Sequence, residues 1–210
     1  MLKRFEKKYR IPENVLFANL KEYGFYNQFP LRRVNSIYFD DLEFTSYCES
    51  EEGITPRQKV RARWYGNRNV KLISDIQKEK VIFEIKETLP FFRNKKVYPY
   101  DGKVCQKDLN NAASILLKKN ISANILISYD RAYFINSNQV RATLDTSITS
   151  HIVEGDRVFS KLPCLENIFE LKFSSEKQCS AILSDLSEYE TRFSKYCNSL
   201  NEQKLNTYIY

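Results

Sequence analysis

The sequence predicts a strand-dominated α+β fold, and three observations predict it. Apolar and polar residues alternate in segment after segment, the signature of strands with two unlike faces. Only three windows carry helical spacing. No linker, repeat or low-complexity tract divides the 210 residues, so one domain over 1–210 with a core of ordinary size is expected.

In chain order, Phe5 to Arg10 sets Phe5/Lys7/Tyr9 against Glu6/Lys8/Arg10. Pro12 stands where a helix can begin, which predicts a short helix over Glu13 to Tyr23, ended by Gly24. Val34 to Asp40 alternates Ile37/Phe39 with Ser36/Tyr38/Asp40, and Glu49 to Gly53 reads as an acidic connector. The next strand is Arg57 to Tyr65. Its alternation places Arg57, Lys59, Arg61 and Arg63 in one row, with Val60, Ala62 and the core residue Trp64 behind. Lys80 to Thr88 repeats the design with Val81/Phe83/Ile85 against Ile82/Glu84/Lys86.

Residues 89–104 hold the turn formers Pro90, Pro99 and Gly102 and a basic cluster at Arg93, Lys95 and Lys96. A helix is expected over Lys107 to Lys119, then strands at Asn124–Phe134, Val140–Thr146 and Ile168–Phe173. His151 reads as incidental, in a loop. A last helix is expected over Ser175 to Tyr189, with Ser174 or Ser175 as N-cap.

Composition narrows the chemistry. The formal charge of +7 points to an acidic partner, and five glycines leave little room for Gly-rich phosphate loops. Five scattered cysteines and one histidine argue against a Cys/His metal site or a His-based nucleophilic dyad. They read as thiols in a reducing, cytoplasmic setting. No apolar run reaches membrane-spanning length, and the N-terminus does not open like a signal peptide.

The polar faces, strand by strand, are Glu6/Lys8, Ser36/Tyr38, Arg61/Arg63, Glu84/Lys86, Tyr129/Arg131, Arg141/Asp145 and Glu170/Lys172. A single basic row is usually a solvated face or a guarded edge. Its recurrence suggests a bound polyanion, because like charges this close repel. Two arrangements fit: an open sheet with a wet charged face, or a barrel with a charged lumen and helices outside. Periodicity alone does not choose between them.

A family resemblance does. Phe5-Glu6-Lys7-Lys8-Tyr9, Val34 to Asp40, Lys59-Val60-Arg61-Ala62-Arg63-Trp64-Tyr65, Phe83-Glu84-Ile85-Lys86, Tyr129 to Tyr133, Arg141 to Asp145, Phe169 to Phe173 and Ser194-Lys195-Tyr196 occur in order. Each is short, but together they resemble the successive motifs of the VTC domain. That domain is the polyphosphate polymerase module of the CYTH-like triphosphate tunnel metalloenzyme superfamily.

The resemblance implies an eight-stranded antiparallel β-barrel, a triphosphate tunnel, with helices packed on the outside. It implies transfer of the terminal phosphoryl group of ATP to polyphosphate, with Mn2+ or Mg2+. Lys8, Arg61, Arg63, Lys86, Arg131 and Arg141 match phosphate-gripping positions, with Arg61, Arg63, Lys86 and Arg131 expected to be catalytic. Tyr129 matches a tyrosine that donates a hydrogen bond to phosphate, and Lys195 a lysine reaching the substrate from a C-terminal helix. Lys59, Tyr38, Lys172 and Lys96 are expected as further substrate contacts. Glu170 matches the metal-binding glutamate, with Glu6 and Glu84 as further ligands or charge balancers.

The chemistry suits these residue types, since phosphoryl transfer needs positioning and charge neutralisation more than a protein nucleophile. One departure separates the chain from the hydrolytic CYTH branch. That branch opens Glu-x-Glu-x-Lys, whereas here Arg4 stands at the first glutamate. Without the regulatory domain and membrane helices of eukaryotic subunits, a stand-alone module is expected. An association with a membrane partner is left open. The competing functions are a triphosphate or polyphosphate hydrolase and a non-catalytic polyphosphate-binding module. Nucleic acid ranks last, because the 57–63 row carries no interleaved aromatics on its basic face.

Overall fold

Alternating residues become strands along the whole chain. The computed structural model of the protein describes residues 5–12, 20–66, 70–77, 79–163 and 166–207. The strands are β1 (Phe5–Ile11), β2 (Tyr26–Asp40), β3 (Arg57–Tyr65), β4 (Val81–Thr88), β5 (Arg93–Tyr100), β6 (Ser122–Ile135), β7 (Arg141–Glu154), β8 (Arg157–Pro163) and β9 (Asn167–Phe173). The α-helices are α1 (Thr45–Glu52), α2 (Gln106–Leu117), α3 (Ser180–Asp185) and α4 (Lys195–Thr207). The fold is thus α+β, and the pairs β1–β9, β9–β7, β2–β3, β3–β4 and β4–β5 are antiparallel.

The chain forms two compact units, and β2, β6 and β7 each give residues to both. The first comprises residues up to Arg33, Tyr129–Ile148 and Pro163–Phe193. Its strand order is β1-β9-β7-β6-β2. Tyr9, Leu144, Phe169, Leu171, Phe173 and Ile182 are buried together in its core. The second comprises Val34–Ser128, Thr149–Leu162 and the chain from Ser194. It follows the order β7-β6-β2-β3-β4-β5, with β8 on β7. Its core gathers Ile37, Phe39, Trp64, Ile73, Phe83 and Leu109. Burying each such side chain contributes about 1.5–3 kcal/mol, so the apolar faces fix which way the charged faces turn.

Several elements differ from the sequence expectation. The stretch read as an acidic connector is helix α1. It has no apolar stripe and is nucleated from outside: the Asp40 carboxylate accepts the N–H groups of Ser46 and Tyr47 at 2.9 and 3.0 Å. Asp41 accepts that of Thr45 at 2.8 Å. The turn-rich segment 89–104 contains strand β5, which tolerates Pro99 because it ends the strand order. His151 lies on β7, its Nε2 3.2 Å from Thr149 Oγ1, not in a loop.

The helix expected over 175–189 is broken into α3 and two short 3-10 turns. Gln178 Oε1 accepts the N–H groups of Ser174 and Ser175, and Cys179 leaves the helical region at φ −150°. Most of the helix expected over Glu13 to Tyr23 lies outside the described residues, as do Arg4 and Cys164.

Candidate functional site

Each unit carries its own charged cluster. In the second unit the register of β3, β4 and β5 aligns the basic residues row upon row. Arg57 lies opposite Thr88, itself opposite Arg93. Lys59, Lys86 and Lys95 form one line across the three strands. Tyr38, Arg61 and Glu84 form another, and Arg63 faces Ser36. Directly opposed residues share a sheet face. That face therefore holds seven cations (Arg57, Lys59, Arg61, Arg63, Lys86, Arg93 and Lys95) around one carboxylate, Glu84.

Glu84 is 4 % exposed and is held by three of them. Arg61 Nε donates to Oε2 at 2.7 Å, Arg63 Nη1 lies 3.4 Å from the same oxygen, and Lys95 Nζ donates to Oε1 at 2.8 Å. Burial alone would push the Glu84 carboxyl up, but Arg61, Arg63 and Lys95 outweigh it and hold it down at about 2. Both oxygens meet cations, so Glu84 balances the charge of this row.

Arg61 also donates through Nη1 to the Tyr38 hydroxyl at 2.9 Å, and Arg63 Nε to Ser36 Oγ at 3.1 Å. The Tyr38 ring stacks on Tyr196 at 5.2 Å between centroids. Tyr196 in turn donates to Asp40 Oδ2 at 2.6 Å, the carboxylate that caps α1. Burial opposes ionisation of Tyr38, yet Arg61, Arg63 and Lys195 bring its hydroxyl down to about 8. Lys59 Nζ donates to Ser194 Oγ at 3.2 Å, at the N-terminus of α4, and lies 3.5 Å from Cys197 Sγ. Lys195 is the first residue of α4 and lies near enough to Tyr38 to act on its hydroxyl.

Lys96 is placed otherwise than expected. It lies opposite Ile85, on the other face, and its Nζ donates to Glu87 Oε1 at 3.0 Å. Lys95, not Lys96, belongs to the charged row. The signal that would have separated them is the register of the β4–β5 hairpin, hidden by its proline-rich composition.

In the first unit, Lys8 lies opposite Glu170, itself opposite Thr143, and Glu6 lies opposite Lys172, itself opposite Arg141. Lys8 Nζ stands between two carboxylates, 3.6 Å from Glu6 Oε1 and 3.9 Å from Glu170 Oε2, and donates to the Phe193 carbonyl at 2.9 Å. Glu170 is also bound by Lys172. Burial would raise the Glu170 carboxyl, but Lys172, Lys8 and Arg131 hold it at about 2. Arg131 grips the buried Asp145 with Nε and Nη2 at 2.6 and 2.7 Å, and lies 5.1 Å from the Tyr129 ring centroid. Asp145 thereby fixes the direction of the Arg131 guanidinium.

Among the described residues no group of three or more His, Cys, Asp or Glu side chains could hold a metal ion. Glu6 and Glu170 nevertheless converge on one cation, Lys8. Two hard oxygen donors completed by phosphate and water suit Mg2+ or Mn2+.

This architecture places the chain in a known class. Its fold is similar to that of a candidate adenylyl cyclase from Hippeastrum described as having a dominant triphosphatase activity. That match has TM-score 0.55 and 12% identity, covering 95% of this chain and 96% of that one. A candidate adenylate cyclase from Vibrio parahaemolyticus matches at TM-score 0.51 and 14% identity, over 94% and 97% of the two chains. A conserved hypothetical protein from Pyrococcus furiosus matches at TM-score 0.54 and 11% identity, over 93% and 99%. These likenesses, at 11–14% identity, show a shared fold. Within it, residues 3–203 match the VTC domain, and the chain belongs to the VTC domain family. No curated protein matches it in sequence.

Proposed function

We propose that this VTC-family chain is a polyphosphate polymerase, transferring the terminal phosphoryl group of ATP to a growing polyphosphate. The observation that supports it is the face of β3–β5, where seven cations surround one carboxylate. Three lysines in line on adjacent strands, about 4.8 Å apart, repel one another unless an anion lies over them. Inorganic polyphosphate has the charge density to do so.

In the proposed step, a terminal oxygen of polyphosphate attacks the γ-phosphorus of ATP. The new O–P bond forms as the bond from the γ-phosphorus to the β–γ bridging oxygen breaks, and ADP leaves with that electron pair. Arg61 and Arg63 present guanidinium N–H groups to the transferring phosphoryl oxygens, while Lys59, Lys86, Lys95 and Lys195 add point charge. In the first unit Lys8, Tyr129, Arg131, Arg141 and Lys172 are assigned to phosphate contacts. Glu6 and Glu170 would hold a divalent ion, which when bound would neutralise phosphate charge.

A polyphosphate terminus is already anionic and needs no general base to attack, which accords with a site that gathers cations. The four described cysteines are free thiols, which accords with a reducing cytoplasmic setting.

Incubating the purified protein with ATP labelled on its terminal phosphate and Mn2+, then resolving the products on a gel, tests the proposal. A ladder of labelled chains is expected, reduced about a hundredfold or more in Arg63→Ala. Labelled free phosphate without a ladder overturns polymerisation in favour of hydrolysis. No product, with polyphosphate still bound, reduces the chain to a binding module.

A further inference from the structure

The tip of the β4–β5 hairpin has no role in the chemistry above. Its loop is Leu89-Pro90-Phe91-Phe92, closed by the Leu89 N–H donating to the Phe92 carbonyl at 2.9 Å. Phe91 is 97 % exposed and Phe92 57 %. Two adjacent phenylalanines in water at a turn that needs neither are costly, since each offers a large apolar area for burial. Residues 86–96 around them carry four cations, Lys86, Arg93, Lys95 and Lys96, against Glu87, with Lys95 also paired to Glu84 at 2.8 Å. Glu87 is itself engaged by Gln58, Asn94 and Lys96.

We propose that this hairpin docks the protein on an anionic lipid bilayer. Phe91 and Phe92 enter the boundary between headgroups and acyl chains, and the flanking cations meet acidic headgroups. The spacing suits that geometry. At about 3.3 Å per residue the cations trail the tip by roughly 3–13 Å, the depth of a headgroup layer above apolar side chains inserted about 5–10 Å. Charge complementarity selects a lipid surface over an apolar protein groove, which would bind the two rings without needing a basic collar. The hairpin ends the strand order at β5, so among the described residues no further strand of the sheet covers it. Lys86, Arg93 and Lys95 also belong to the row assigned to polyphosphate. The inference is carried by Phe91 and Phe92, neither of which is assigned to phosphate, so it stands or falls apart from the polymerase reading.

Vesicle flotation tests it, using phosphatidylcholine alone and phosphatidylcholine mixed with phosphatidylglycerol. The intact chain is expected to float with the anionic vesicles, and the double variant Phe91→Ser/Phe92→Ser to bind at least about tenfold more weakly. Unchanged circular dichroism and tripolyphosphate binding would show that the variant is folded. A Phe91→Trp variant adds depth. The native Trp64 is fully buried, so quenching by brominated lipid reports the new side chain. Three results overturn the proposal: no flotation, flotation untouched by the double variant, or self-association in solution that the double variant abolishes.

Discussion

Arg61 shows how one side chain is fixed by several independent constraints. Its Nε–H and Nη2 point at Glu84, and its Nη1 at Tyr38. Tyr38 is held by stacking on Tyr196, which is tied through Asp40 to the first turn of α1. Tyr38 is also the group here that titrates close to neutrality, at about 8. In the proposed site its neutral hydroxyl, which accepts from Arg61, would donate its own proton to a phosphate oxygen below that pH. Above it the phenolate adds negative charge where a phosphate must bind, so binding requires proton uptake. Tripolyphosphate affinity is therefore expected to fall as pH rises through about 8, and Tyr38→Phe to remove that fall. Calorimetric titrations on either side of that pH check it. An unchanged pH profile in Tyr38→Phe would take Tyr38 out of the anion site.

Among the elements, the β4–β5 hairpin decides which lysine matters. Lys95 stands on the charged face with Glu84, and Lys96 on the opposite face with Glu87. Lys95→Ala is expected to weaken tripolyphosphate binding roughly tenfold, and Lys96→Ala by less than about twofold. The reverse order would mean that the hairpin register shifts when ligand binds. Strands such as β3, β4 and β9 were legible in the sequence because two-residue alternation is strong wherever one face is apolar and the other charged. Helix α1 was not, because its start is set by Asp40 and Asp41 of the preceding chain rather than by an apolar stripe. Strand β5 was obscured by Pro90, Pro99 and Gly102, which mark turns in most settings but are tolerated at the end of a sheet. The basic row itself could be read from Arg57 to Arg63. The pairing that brings Lys86 and Lys95 beside Lys59 needed the register.

For the molecule as a whole, a formal charge of +7 with much of it gathered on one face of β3–β5 means that like charges crowd there and repel one another. Glu84 offsets part of that repulsion, and a bound polyanion would offset more. Glu84→Gln leaves Arg61, Arg63 and Lys95 without their carboxylate, and removing one partner of a buried pair costs about 3–5 kcal/mol. Tripolyphosphate supplies the missing negative charge to the same three cations. Ligand at a hundred times its Kd stabilises any binding-competent fold by about 2.7 kcal/mol, and loss of the Glu84 charge favours an added anion. The variant is therefore expected to melt well below the parent alone and to gain more from ligand than the parent does. Added salt should shrink both the parent's gain and the variant's recovery, because the interaction is between charges. Thermal melts of both proteins, with and without tripolyphosphate at two salt concentrations, measure this. Equal destabilisation of Glu84→Gln with and without ligand would make the row an internal ion-pair network and remove it as the place where phosphate binds.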